Sequence, residues 1–169
     1  MLTADAIHLG QLEGLRRQRR RAPSLSRYAD SPLGYANDVL KVNWWAKQIE
    51  IAESVRDNPR TLVKAALGVG KTHVSGGLVN WFFDVFPGSV IPTVAPTGHQ
   101  VKDLLWKEIR SQRRTPPAPD VLQLRDMNSP DHYAVGISPR KDVASDEFGA
   151  QAAQGFHAEH LLFVMDEAA

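Results

Sequence analysis

Two short stretches hold side chains whose types and spacing suit phosphate and metal chemistry. The first is "AALGVGKT", residues 65–72, in which Ala66, Leu67, Gly68, Val69 and Gly70 lead into Lys71 and Thr72. An apolar run precedes it and a long apolar helical pattern follows. A chain that leaves a strand through a glycine loop and opens a helix aims several backbone N–H groups at one point, where the helix end adds partial positive charge. Gly68 and Gly70 let the backbone approach phosphate oxygens, Lys71 reaches a β- or γ-phosphate, and the Thr72 hydroxyl ligates Mg2+. The strict form of this pattern has glycine where Ala65 stands. That position touches the phosphates little, so a small residue with ordinary dihedral angles serves.

The second stretch is "HLLFVMDEAA", residues 160–169, an apolar run that ends in Asp166 and Glu167. It places two carboxylates at the carboxyl edge of a buried strand. Beside a phosphate loop, the aspartate holds Mg2+ and the following glutamate polarises an attacking water. Alone, an apolar run followed by Asp-Glu is commonplace; the pairing of the two stretches gives each its meaning.

Weaker features accompany them. Gln48 precedes the loop on a helical pattern that includes Trp44 and Trp45, and its amide offers an adenine edge both a donor and an acceptor. A solvated helix glutamine beside core tryptophans is an equal reading. His157 and His160 form an H-x-x-H without an obvious third ligand, so a metal site is not expected there. Five arginines crowd into "LRRQRRR", residues 15–21, which suits DNA phosphates or an acidic partner, or else a solvated basic terminus. "VAPTGHQ", residues 94–100, reads as a loop at the carboxyl end of a strand, the edge where open α/β sheets place ligands.

Periodicity supplies the elements that must position these groups. Residues 1–21 read as an amphipathic basic helix and 38–56 as a second helix, stopped by Asn58-Pro59. Residues 61–66 read as a short buried strand leading into the glycine loop. Residues 71–86 read as a helix apolar on most sides, hence buried, and ended by Pro87-Gly88. Residues 89–95 predict a second strand, which Pro92 assigns to a sheet edge. A helix over 100–112, an antiparallel pair from "VLQLRDM" and "HYAVGIS", a polar loop with a short helix over 141–160, and a strand over 161–165 complete the chain. The implied fold is α/β with a mostly parallel sheet.

Bulk properties bound the rest. The chain has 169 residues, a formal net charge of +1 and 43% hydrophobic residues, enough for one packed domain. It has no cysteine, which removes disulfides and thiolate chemistry and suits a reducing compartment. No apolar run is long enough for a membrane span, and no apolar segment follows a basic start as in a secretory leader. A cytoplasmic protein is expected.

In order and spacing, "WWAKQIEIAESVRDNPRTLVKAALGVGKT", "TVAPTGHQVKDLLWKEIR" and "GFHAEHLLFVMDEA" resemble large terminase subunits, the DNA-packaging motors of tailed bacteriophages and prophages. The resemblance runs from about residue 30 to the end. It divides the chain into a basic helix and linker over 1–29 and part of an ATPase domain over 30–169. It implies a P-loop NTPase of the additional-strand, catalytic-glutamate type that binds ATP and Mg2+. The family's adenine-reading glutamine falls on Gln48, its phosphate loop on residues 65–72, and its Walker B pair on Asp166 and Glu167. The implied partners are double-stranded viral DNA, the small terminase subunit, the portal and further copies of the same chain in a ring. The family's coupling motif, later ATPase strands and nuclease have no counterpart in these residues. A truncated ATPase domain is therefore expected, with a gap between its two catalytic strands. A superfamily-2-like helicase or translocase is the alternative, since "GVGKT", "APT" and "DEA" suit that class too; an inactive remnant, or a module that binds DNA or the small subunit, is the non-enzymatic one.

Overall fold

The computed structural model describes residues 25–66, 68–137 and 155–166. The basic helix expected over residues 1–21 and most of the polar loop expected over 141–160 lie outside the described residues, as do Leu67 and Glu167.

A 3-10 turn, Leu25–Tyr28, leads into the short helix α1, Pro32–Tyr35. Ser31 caps α1 by accepting from Gly34 N, and Pro32 occupies the first helical position, where a missing N–H costs nothing. The chain continues as a π-helical segment, Ala36–Leu40, closed by Lys41 in the left-handed region at φ 60°. The single helix expected over 38–56 is thus two elements: after an extended stretch, α2 spans Ala46–Asp57. Lys41 turns the chain, so Leu40 and Trp44 reach the core from separate segments rather than from one helical face. Asn58 ends α2 as expected, its amide donating to the Ser54 carbonyl.

Helix α3, Lys71–Val85, runs through the middle of the molecule. Its Val74, Leu78, Trp81 and Val85 pack with Tyr28, Tyr35, Leu40 and Trp44 in one cluster. Val79 and Phe83 face a second cluster with Ile91, Leu105, Trp106, Ile109 and Ala134. A helix sandwiched in this way has to be apolar nearly all round. Pro87 and Gly88, the latter at φ 75°, turn the chain into β1, Val90–Val94, which is buried along its whole length. A π-helical segment, Gln100–Leu105, runs directly into helix α4, Trp106–Gln112, and together they make the helix expected over 100–112.

Strands β2, Gln123–Arg125, and β3, Tyr133–Ile137, form the expected antiparallel pair, and β4, Val164–Met165, completes a four-stranded sheet in the order β2-β3-β1-β4. β1 pairs in parallel with both neighbours. It is therefore an inner strand, not the edge strand that Pro92 suggested. The cost of the proline appears on the β4 side. Val90 N donates to His160 O at 3.0 Å and Asp166 N donates to Val94 O at 2.9 Å, so alternate residues of β1 face β4. Pro92 falls at the position between them and has no N–H to offer. The ladder breaks there, leaving an isolated Val90–Leu161 bridge and a two-residue β4 where five residues of strand were expected.

Helix α4 anchors on the sheet through Trp106, whose Nε1 donates to Thr93 Oγ1 at 2.8 Å. The indole lies so near β3 that a Cβ on Gly136 would sit 2.6 Å from Nε1. The second expectation to fail is the strand over 61–66. These residues join no sheet; Leu62 is 92% exposed, and Lys64, Ala65 and Ala66 are exposed with it. Apolar composition makes a buried strand only where a neighbour offers a ladder, and among the described residues β4 pairs with β1 alone.

Candidate functional site

The chain opens α3 through two glycines in the left-handed region, Gly68 at φ 79° and Gly70 at φ 82°, with Gly70 as the cap. Only glycine adopts such angles without strain. Ala65 needs no such freedom, since Lys41 alone among the described non-glycine residues has positive φ. The first turn of α3 contains Lys71, Thr72 and His73 and no acidic side chain, so its N–H groups and partial positive charge face the loop.

Asp166 follows β4 at the carboxyl edge of the sheet and is buried. Its Oδ2 accepts from Thr72 Oγ1 at 3.0 Å, across 94 residues of sequence. The hydroxyl and the carboxylate expected from the sequence to hold a metal thus stand together beside the glycine loop. Both are hard oxygen donors, the class that Mg2+ prefers, and one protein carboxylate plus one hydroxyl leaves room for phosphate oxygens and water. The donor set fits the ion.

Lys71 is folded back on the loop, its Nζ donating to the Ala65 and Ala66 carbonyls at 2.8 and 2.9 Å. Gln48 reaches the loop from α2. Its Nε2 donates to Gly70 O at 3.1 Å and its Oε1 accepts from Trp45 N at 3.2 Å. Beside it runs a groove lined by Trp45, Ile51, Leu62, Val63 and Val69. Leu67 and Glu167 lie outside the described residues.

Other groups fall elsewhere. His160 stacks near Phe86, with ring centroids 5.2 Å apart, and no group of three or more metal-ligating side chains occurs among the described residues. Two clusters escaped the sequence reading. His73 Nδ1 lies 3.2 Å from Glu108 Oε2, and Gln112 Nε2 bonds to both side chains and to the His73 carbonyl, tying the start of α3 to α4. Deeper, Arg113 forms an ion pair with Asp84 at 2.9 Å and bonds to Asn80 and the Pro116 and Pro117 carbonyls. Asp84 also accepts from Tyr35 and Thr115. Burial and the Asp84 carboxylate push the Tyr35 phenol well above its ordinary value, so it stays protonated as a donor. Neither cluster has a local pattern that would mark it in sequence.

Comparison with known proteins places this geometry in context. Over 141 residues, 79% of the chain, it is 30% identical to the "Probable terminase, large subunit" of Enterobacteria phage P7. The chain spans 28% of that protein's length. It is thus similar to part of a terminase large subunit, as its motifs imply. No family model and no solved structure matches the chain.

Proposed function

We propose that this chain carries the nucleotide-binding part of a large-terminase ATPase that powers packaging of viral double-stranded DNA. The observation that carries the reading is the Thr72–Asp166 bond, which sets a loop hydroxyl directly beside a strand-end carboxylate. The motif resemblance and the similarity to the phage P7 protein support it.

In this reading the N–H groups of the glycine loop and of the first turn of α3 bind the phosphates, and Lys71 exchanges the Ala65 and Ala66 carbonyls for phosphate oxygens. Thr72 and Asp166 hold Mg2+, which when bound offsets charge on the phosphates. Glu167, next in sequence, accepts a proton from the attacking water and orients it. The P-loop class, the ATPase activity and the partners (viral DNA, the small subunit, the portal and a ring of copies) belong to this proposal.

Calorimetric titration of the chain with Mg-ATP tests it. The Lys71→Ala variant is expected to lose binding by about a hundredfold, in line with removal of a charged partner from a phosphate. Asp166→Asn is expected to weaken the dependence on Mg2+ while leaving metal-free ATP binding nearly intact. Equal affinities in wild type and Lys71→Ala would refute the site.

A further inference from the structure

The π-helical segment and α4 present a basic outer surface. Lys102 and Lys107 are exposed, Arg110 is half-buried, and Arg114 stands exposed just past the Arg113 cap. Lys107 and Arg110, three residues apart, share a side of the helix. Arg110 Nη2 donates to the Lys102 carbonyl at 3.3 Å, and its Nη1 donates to the Val121 carbonyl. Arg114 Nη1 folds back to the Ser111 carbonyl at 2.7 Å. Backbone carbonyls thus steady both guanidinium groups without neutralising them. The carboxylates of the same helix face histidines instead: Asp103 lies 3.7 Å from His99, and Glu108 lies 3.2 Å from His73. Among the described residues none of the four cations forms an ion pair.

The company these cations keep says which polyanion they fit. Trp106 is fully buried, so the helix offers no exposed ring on which a single-stranded base could stack. The amides of Gln100 and Gln112 bond to Thr97 and to His73, which leaves neither of them aimed outward at a base edge. Leu104, 42% exposed, is the large apolar side chain on this surface, too little for the buried anchor that a protein partner needs. What remains is spaced positive charge, which suits the phosphate backbone of a duplex. From Lys107 to Arg114 a helical chain advances about 10 Å. Each strand of duplex DNA presents about three phosphates over that length.

We propose that this surface, through Lys102, Lys107, Arg110 and Arg114, holds the backbone of double-stranded DNA without reading its sequence. The choice of DNA rests on the packaging reading above, while the surface uses none of the residues of the glycine loop. On the side that faces α3, Glu108 and Gln112 of the same helix reach His73, the residue after Thr72. One short helix therefore touches the first turn of α3 on one side and the duplex on the other.

Binding of labelled duplex DNA, read by fluorescence anisotropy over a series of salt concentrations, tests the surface in the full chain. Lys107→Gln with Arg114→Gln is expected to weaken binding about tenfold at low salt, equally for duplexes of unrelated sequence, and to lower the salt slope by about 1 for each cation removed. A second pair, Lys102→Gln with Lys107→Gln, leaves the helix end untouched and is expected to show the same loss. Lys41→Gln with Arg125→Gln removes two exposed cations elsewhere and is expected to leave affinity and slope near wild type. All these variants keep the arginines of residues 15–21, so their contribution is common to every comparison. A loss in the helix pairs no greater than in the Lys41 and Arg125 pair would overturn the proposal. A larger loss toward oligo-dT or polyglutamate than toward duplex would also overturn it, by assigning the surface to single strands or to an acidic protein. Lys71→Ala is expected to bind duplex as wild type does, so failure of the nucleotide site and failure of this surface appear in different variants. Duplex binding that falls with Lys71→Ala as much as with the helix pairs would move the DNA contact to the loop and refute the assignment.

Discussion

Gly70 is the residue on which the site turns. It caps α3 at φ 82° and touches Gln48, so alanine there meets two obstacles at once. Placing a non-glycine residue in that region costs about 1–3 kcal/mol, and the displaced amide adds to it. Gly70→Ala is expected to lower Mg-ATP affinity at least tenfold in titration; an unchanged affinity would mean that the cap is not part of the ligand site. At this scale the sequence shows residue types more readily than the contacts they make. Lys71, Thr72 and Asp166 are singled out by type and spacing because each belongs to a local motif, and the structure brings Thr72 and Asp166 into contact. The contact of Gln48 with the loop cannot be read so, since it needs a carbonyl 22 residues away to come within 3.1 Å. His132 shows the same limit. It reads as a polar residue beside a turn, yet it is buried, stacked on Phe83 and accepting through Nδ1 from Ser89 N.

Among elements, α3 was the most legible, because a helix apolar on nearly every side has to be packed on nearly every side. Strands were less so. The apolar run over 61–66 looks like a strand, but burial of a strand is a property of its neighbours. The run over 161–165 looks like five residues of ladder and yields two, because the donor missing at Pro92 lies on the opposite strand. What fastens α3 to α4 was invisible, since Asp84 and Arg113 lie 29 residues apart and neither belongs to a motif. Their side chains are only 5% and 2% exposed, and removing one member strands the other. Arg113→Met is expected to destabilise the fold by about 3–5 kcal/mol in urea melts. Adding Asp84→Leu to it is expected to recover part of that loss, because no unpaired carboxylate then remains. A double variant less stable than Arg113→Met alone would show that the pair is not an isolated charge couple.

For the whole molecule, the described residues make one mixed α/β body, with α3 between an aromatic-rich cluster of N-terminal segments and a four-stranded sheet. None of its helices is long and apolar enough to cross a membrane. The fold responds to acid through His132. Burial lowers the affinity of that imidazole for a proton, against the opposing pull of Asp126 and Asp84. In the unfolded chain the group has the ordinary histidine value of about 6.5; in the folded chain burial holds it below that. Between the two values the unfolded state binds more protons, so stability rises with pH there. The His132 contribution is therefore complete above about pH 6.5 and is lost as pH falls through the lower folded value. Thermal melts from pH 7.5 to 5 are expected to show this fall, and His132→Gln, which can still accept from Ser89 N, is expected to flatten it. An identical slope in that variant would assign the acid sensitivity to carboxylates instead.

The shortness of β4 has a consequence for the proposed nucleotide binding. A two-residue ladder adjoins Asp166 at this end of the sheet, and a bond from the Thr72 hydroxyl ties it to α3. Such an end opens locally at far less free energy than the core, exposing the backbone around residues 161–166 to a protease. A ligand that binds only when Thr72 and Asp166 are together draws its affinity partly from suppressing that opening. Under that proposal, loading the loop and shielding this stretch from cleavage are one equilibrium, seen from two segments joined across 94 residues of sequence.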